Sequence, residues 1–257
     1  MNYFGDKIIK PFCISQNYRR ICEIGSRYGK NTDKLLTVPG LTISIVDPCI
    51  ESDLMEKYRQ DPRIKIYADL SLNVLPSLDE PFDAILIDGD HNWYTVYHEL
   101  KVIEERSLLC ENGTIFLHDV IWPYARRDMY YDPDAIPAEF RHPYARAGIK
   151  KNISKLVGGG GLNDHLLNAE HEGGPRNGIL TAIEDFLSSA ANQYSFLKVE
   201  VECGLGVITK NQDLDTEVLQ REWTASARQG EFGFALRRAI VEYLAWPIRR
   251  IKRGLSG

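Results

Sequence analysis

Five short apolar runs separated by helix-length stretches, at residues 20–24, 41–47, 64–67, 82–88 and 114–117, constrain this chain most. The fourth is the sharpest, with Ala84-Ile85-Leu86-Ile87 meeting Asp88-Gly89-Asp90-His91 without a spacer. A short continuous apolar run suits a strand buried on both faces, and strand–helix alternation indicates βαβ units in a mostly parallel sheet. In such a sheet ligands bind beyond the carboxyl ends of the strands, so acids delivered there are candidate site residues. The same residue types also close strands for local reasons, with Gly89 as a bend and Asp90 as a helix cap.

Taken in order, residues 1–20 read as a short irregular or helical arm before the first strand. Asn31 or Thr32 is the expected cap of a helix reaching about Thr37, and a second helix over 51–58 is stopped by Asp61-Pro62. Val96, Tyr97, Leu100 and Ile103 recur at helical spacing between residues 94 and 109. Glu111-Asn112-Gly113 is the expected turn into the fifth strand, which ends at His118-Asp119. Periodicity then fails across 122–178, a segment with five prolines, a run of four glycines at 158–161 and many aromatic residues. So many aromatics argue against a disordered linker, and a long loop in a compact domain is typically a lid or binding loop. The expectation is a partly ordered lid with a mobile glycine hinge. A helix over 179–190 and an antiparallel hairpin over 196–209 follow. Residues 21–211 thus form one domain with an inserted lid, and 212–257 a helical extension.

Net charge of −5 argues against a nucleic-acid-binding surface. No apolar run approaches the ~20 residues of a membrane span, and the first residues lack the order of a secretion signal. Five scattered cysteines without a Cys-x-x-Cys pair fit reduced thiols, so a cytoplasmic location is expected. Residues 237–253 hold six basic groups against Glu242. A basic amphipathic helix suits a membrane surface or an acidic partner, while a contact between copies in a homo-oligomer, or a solvated end helix, accounts for it at least as well.

Glu23-Ile24-Gly25-Ser26-Arg27-Tyr28-Gly29 joins the first strand to the first helix. Its Gly-x-x-x-Gly spacing is not the Gly-x-Gly-x-x-Gly of dinucleotide binders, and Glu23 in that corner suits a cationic ligand over a pyrophosphate. S-adenosylmethionine, with an ammonium and a sulfonium, meets that requirement. Asp47 is placed to grip ribose hydroxyls and Asp69 to meet the adenine amino group.

In order, Glu23-Ile24-Gly25 with Gly29, Val46-Asp47-Pro48, Ile87-Asp88-Gly89-Asp90-His91 and Phe116-Leu117-His118-Asp119 resemble the motifs of class I S-adenosylmethionine-dependent methyltransferases. The Asp-Gly-Asp-His and His-Asp endings are most similar to the bacterial small-molecule branch, near the macrocin O-methyltransferase and cephalosporin-hydroxylase-like proteins. The resemblance covers about residues 18–210. It implies an α/β fold: a three-layer Rossmann-like methyltransferase with a seven-stranded, mostly parallel sheet whose last strand is antiparallel. It also implies a cofactor site at Glu23, Gly25, Ser26, Gly29, Asp47, Asp69 and Asp88, and methyl transfer to a hydroxyl of a small-molecule acceptor such as a sugar or secondary metabolite.

In metal-dependent relatives the acids at these strand ends bind a divalent cation, which carries over to Asp88 and Asp119, with His118 beside them. Carboxylates suit magnesium, whereas a histidine ligand favours a transition ion. Alternatively His91 or His118 is a general base in a metal-free site assisted by Asp88. Arg126, Arg127, Arg141 and Arg146 in the lid are candidates for an acceptor carboxylate or phosphate, or solvated surface groups. An N-methyltransferase, an NAD(P)-dependent oxidoreductase and a non-catalytic binding module of the same fold stay open as rivals.

Overall fold

Burial on both faces of the central strands organises the layers. The computed structural model describes residues 1–210, so the expected C-terminal extension at 212–257 lies outside the described residues. The main sheet contains β1 (Arg20–Ile24), β2 (Thr42–Val46), β3 (Ile64–Tyr67), β4 (Phe82–Ile87) and β5 (Leu109–His118). Two later strands complete it in the order β3-β2-β1-β4-β5-β10-β9, with β9 (Ser195–Val199) and β10 (Leu205–Thr209). β10 runs antiparallel to both its neighbours, and the other six strands run one way. This is the expected topology.

Ile85 and Ile87 of β4 and Ile115 and Leu117 of β5 share one face with α6 (Trp93–Glu105) and α7 (Ile179–Ser189). Those helices contribute Val96, Leu100, Ile103, Ala182, Ile183 and Phe186, nearly all fully buried. Phe116, between Ile115 and Leu117, turns to the opposite face. There it meets Phe12 edge to face at 5.7 Å. Phe12 belongs to the N-terminal segment, which runs as α1 (Asn2–Phe4), a π-helical turn (Gly5–Ile9) and α2 (Lys10–Ser15). Phe4, Ile8, Ile9, Phe12 and Cys13 are buried, so the arm is part of the core. Each such side chain contributes roughly 1.5–3 kcal/mol by leaving water.

Two local expectations fail. Glu111-Asn112-Gly113 does not precede β5 but lies within it, as a bulge where the register jumps from Phe82↔Leu109 to Ala84↔Thr114. The carbonyls freed by that jump find partners: Tyr18 Oη donates to Asn112 O and Thr209 Oγ1 to Gly113 O. Asn31 and Thr32 do not cap α3 (Lys30–Leu35), whose N-cap is Gly29. Their side chains turn inward to a buried acid instead.

Residues 122–178, where no period is legible, fold into a small antiparallel sheet. Its order is β6 (Met129–Tyr130), β8 (Leu167–Ala169) and β7 (Tyr144–Arg146). Buried polar groups anchor it. The Asp128 carboxylate accepts from Trp93 N, Gly178 N and Tyr130 Oη, while Asp128 N donates to Asn177 Oδ1. The wholly buried Arg127 guanidinium donates to the carbonyls of Ala169 and Ser154. Among the described residues no helix is long and apolar enough to cross a membrane.

Candidate active site

Strand order reverses between β1 and β4, and in register Ile24 lies beside Val46 and Ile87, with Ile87 beside Leu117. The residues that follow these four strands therefore share one edge of the sheet, at the switch point where open α/β sheets bind ligands. Gly25, at φ +84°, passes so close to β4 that a Cβ there would stand 2.4 Å from Asp88 O. Only glycine fits that approach.

A cavity of about 230 Å³ opens at this point. Glu23, Gly25, Ser26, Asn31, Asp88 and His91 line it, with Arg27, Tyr28 and Lys30 of the loop, Met1, Asn2 and Tyr131. Glu23 is only 2% exposed and accepts from Asn31 Nδ2 at 2.9 Å and Thr32 Oγ1 at 2.5 Å. Burial pushes its carboxyl up to about 7, and these two hydrogen bonds hold it from going further. A carboxylate so placed is stabilised by an arriving cationic group.

Beside the cavity Asp88, His91, His118 and Asp119 converge, their ligand atoms all within 4.8 Å of one another. His118 Nδ1 lies 3.0 Å from Asp88 Oδ1 and 3.2 Å from Asp119 Oδ2, and His91 Nε2 lies 2.6 Å from Asp119 Oδ2. Asp119 has φ +60°, a left-handed backbone that aspartate tolerates at some cost. Asp88 Oδ2 takes the Met1 ammonium at 2.9 Å. Burial opposes charge throughout, but mutual pairing outweighs it. Asp88 is held down to about 2 by His118, the terminal ammonium and His91, and Asp119 falls well below the carboxylate range. His118 is pushed up to about 10 by Asp88 and Asp119, and His91 is raised chiefly by Asp119. The donor set fits a divalent cation. Two carboxylates supply the charge, and His118 Nδ1 is buried with no hydrogen-bond partner in acceptable geometry.

The other expected site residues do not join the Asp/His cluster. Asp47 is buried beside the glycine loop, but its oxygens accept from Arg27 N and Cys49 N at 2.6 and 2.7 Å, tying that loop to the end of β2. Asp69 is exposed and accepts from Leu70 N and Asn73 Nδ2. Ser26 lies on the wall, its hydroxyl 2.9 Å from Thr32 Oγ1. Gly29 makes room for Tyr58, whose hydroxyl donates to Gly29 O. Asp90 does not cap α6; Asn92 does, accepting from Thr95 N, while Asp90 accepts from the Thr95 hydroxyl. None of the four lid arginines faces the cavity. Arg126 forms a bidentate pair with Glu184, Arg127 is buried as above, Arg141 meets Asp134 and Arg146 the His165 carbonyl.

Among the insertion's aromatic residues, whose rings the sequence offers as stacking faces over an acceptor, Tyr124 and Tyr131 are the ones that pack against His91, a distinction that aromatic character alone does not make. Their rings stand 5.4 and 6.1 Å from that of His91, and Met129 N donates to His91 O. The Phe4 ring packs edge-on to His118 at 5.8 Å. Cys203, beside Asp119, has its thiol pKa raised by burial and by that carboxylate.

No family model matches the chain, and neither does any curated protein. Solved structures do. A provisionally assigned caffeoyl-CoA O-methyltransferase from Staphylococcus aureus is 13% identical, covering 81% of this chain and 83% of its own, with a TM-score of 0.50. An SAH-bound methyltransferase from Podospora anserina is 18% identical over 79% of this chain and 80% of its own, with a TM-score of 0.49. The likeness is one of fold: a three-layer, Rossmann-like methyltransferase architecture.

Proposed function

We propose that the protein is an S-adenosylmethionine-dependent methyltransferase. Its acceptor is a hydroxyl of a small molecule, a sugar or secondary metabolite, as in the branch around macrocin O-methyltransferase. One observation carries the reading: the switch-point cavity is lined both by a buried acid, Glu23, and by Asp88 and His91 of the Asp/His cluster. The first suits the cationic methionine end of the cofactor, and the second suits a hydroxyl that must lose a proton.

Methyl transfer is an in-line displacement at carbon, so the acceptor oxygen must be held ~3 Å from the methyl group with sulfur behind it. Gly25 lets the cofactor lie against the strand ends. Tyr131, from the insertion, closes the wall on the acceptor side. His91 borders the cavity and His118 does not, so in a metal-free site the acceptor proton passes to His91. A divalent cation at Asp88, Asp119 and His118 would instead lower the hydroxyl's pKa when bound.

Calorimetry with S-adenosylhomocysteine tests the cofactor, with NAD as comparator. Binding of the first alone is expected, weakened at least tenfold by Glu23→Ala. Folded protein that binds NAD, or neither ligand, overturns the reading.

A further inference from the structure

In the metal-dependent relatives strand-end acids hold the cation, and the ligand set expected from the sequence, Asp88, Asp119 and His118, adds one imidazole to them. The cluster in this chain brings a second, His91. We propose that Asp88, His91, His118 and Asp119 together form a mixed nitrogen–oxygen centre that selects a first-row transition ion over magnesium. The inference rests on these four side chains and deepens the methyl-transfer reading by naming the ion that its acceptor site employs.

The spacing of His118 from the two carboxylates is that of ligands around one ion, and His91 Nε2, now at hydrogen-bonding distance from Asp119, would draw back by less than about 1 Å to join them. Bonds of ~2.0–2.2 Å to nitrogen and oxygen place neighbouring donors about 3.0 Å apart at right angles and about 3.4 Å apart in a tetrahedron. Here His118 Nδ1 stands 3.0 and 3.2 Å from the two carboxylates, and His91 Nε2 stands 2.6 and 3.8 Å from them. Spacing alone does not separate magnesium from zinc, cobalt or manganese; donor type does. Imidazole nitrogen suits transition ions, whereas magnesium takes oxygen and keeps its waters.

Three further features favour ligation over a plain ion-pair cluster. His118 Nδ1 is buried and finds no hydrogen-bond acceptor in proper geometry, although two carboxylates lie within 3.2 Å. Both imidazoles are fixed by ring contacts, His118 against Phe4 and His91 against Tyr124 and Tyr131, so their donor atoms are aimed before an ion arrives. Asp88 Oδ2 is taken by Met1, which leaves Oδ1 turned to the imidazoles. Asp88 and His91 also border the cavity, so the ion's open positions would face an acceptor. On this reading the imidazoles would be ligands rather than proton acceptors, and a bound ion would lower the hydroxyl's pKa so that its proton leaves to water.

The test is a metal titration of the full chain after chelation and dialysis, without cofactor or acceptor. Calorimetry with Co²⁺, Zn²⁺, Mn²⁺ and Mg²⁺ gives stoichiometry and affinity, and visible absorption of the Co²⁺ form reports nitrogen ligation. The expected result is one transition ion per chain, bound at least 100-fold more tightly than Mg²⁺, with Co²⁺ bands that shift in His91→Ala and in His118→Ala. Either substitution should weaken Co²⁺ at least tenfold, while His118→Asp narrows the gap to Mg²⁺. Circular dichroism confirms that each variant is folded. Equal affinity for Mg²⁺ and Co²⁺, bands unchanged in the histidine variants, or no ion bound by folded protein would overturn the proposal. Because cofactor is absent, a failure here is distinct from a failure to bind S-adenosylhomocysteine.

Discussion

A methyl group added at Gly29 would sit 2.0 Å from the Tyr58 hydroxyl oxygen, on a backbone at φ +65°. Left-handed geometry costs about 1–2 kcal/mol and overpacking about 1–3 kcal/mol, so Gly29→Ala should lose about 2–5 kcal/mol in urea denaturation. Tyr58→Phe removes the clashing oxygen and should recover part of that loss in the double variant. The motif glycine therefore serves loop packing, a role its spacing does not reveal. Asp47 is similar. Its position at a strand end was legible, but its engagement by Arg27 N and Cys49 N was not, because that depends on how the loop folds back. The cluster was more legible, since Asp88, His118 and Asp119 close adjacent strands that the register sets side by side, and His91 follows Asp88 by one short turn.

At the scale of the element, α6 carries a buried acid that its amphipathic pattern does not announce. Glu99 is fully buried; Oε1 accepts from Ser71 Oγ, and Oε2 has no hydrogen-bond partner. Burial pushes its carboxyl up to about 8, against the lowering effect of the Ser71 bond. Folded protein thus keeps a proton that the unfolded chain gives up near pH 4.5, so stability falls as pH rises from there to about 8. Glu99→Gln removes this cost. Thermal and urea unfolding should show little difference at pH 4 and a gain of up to about 5 kcal/mol above pH 8. The main strands were legible because each is a run of four or more apolar or β-prone residues. β6, β7 and β8 were not, since two or three residues cannot show a period and their pairing joins positions far apart in sequence. Nor was the N-terminal helical segment's part in the core, which depends on Phe12 finding Phe116.

Across the whole molecule, the insertion and the sheet are joined through Asp128, which serves Trp93 N at the head of α6 and Gly178 N at the head of α7. Asp128→Ala leaves those buried donors unpaired, at about 1–3 kcal/mol each. Hydrogen exchange should then show faster exchange across residues 129–169 while β1 and β4 stay protected. Equal acceleration in the sheet would mean that the two parts unfold as one.

The insertion also leaves and rejoins the core at one place. Ile179 N donates to Tyr124 O, Ala169 N to Asp128 O, and Asp128 N to Asn177. A loop whose ends are already closed can lengthen or shorten at little entropic expense. Gly158, Gly159 and Gly160, where an added Cβ would meet nothing within 4 Å, lie in that loop, far in sequence from its anchors. A change of length at that glycine loop would therefore leave the strand-end cluster where the sheet holds it.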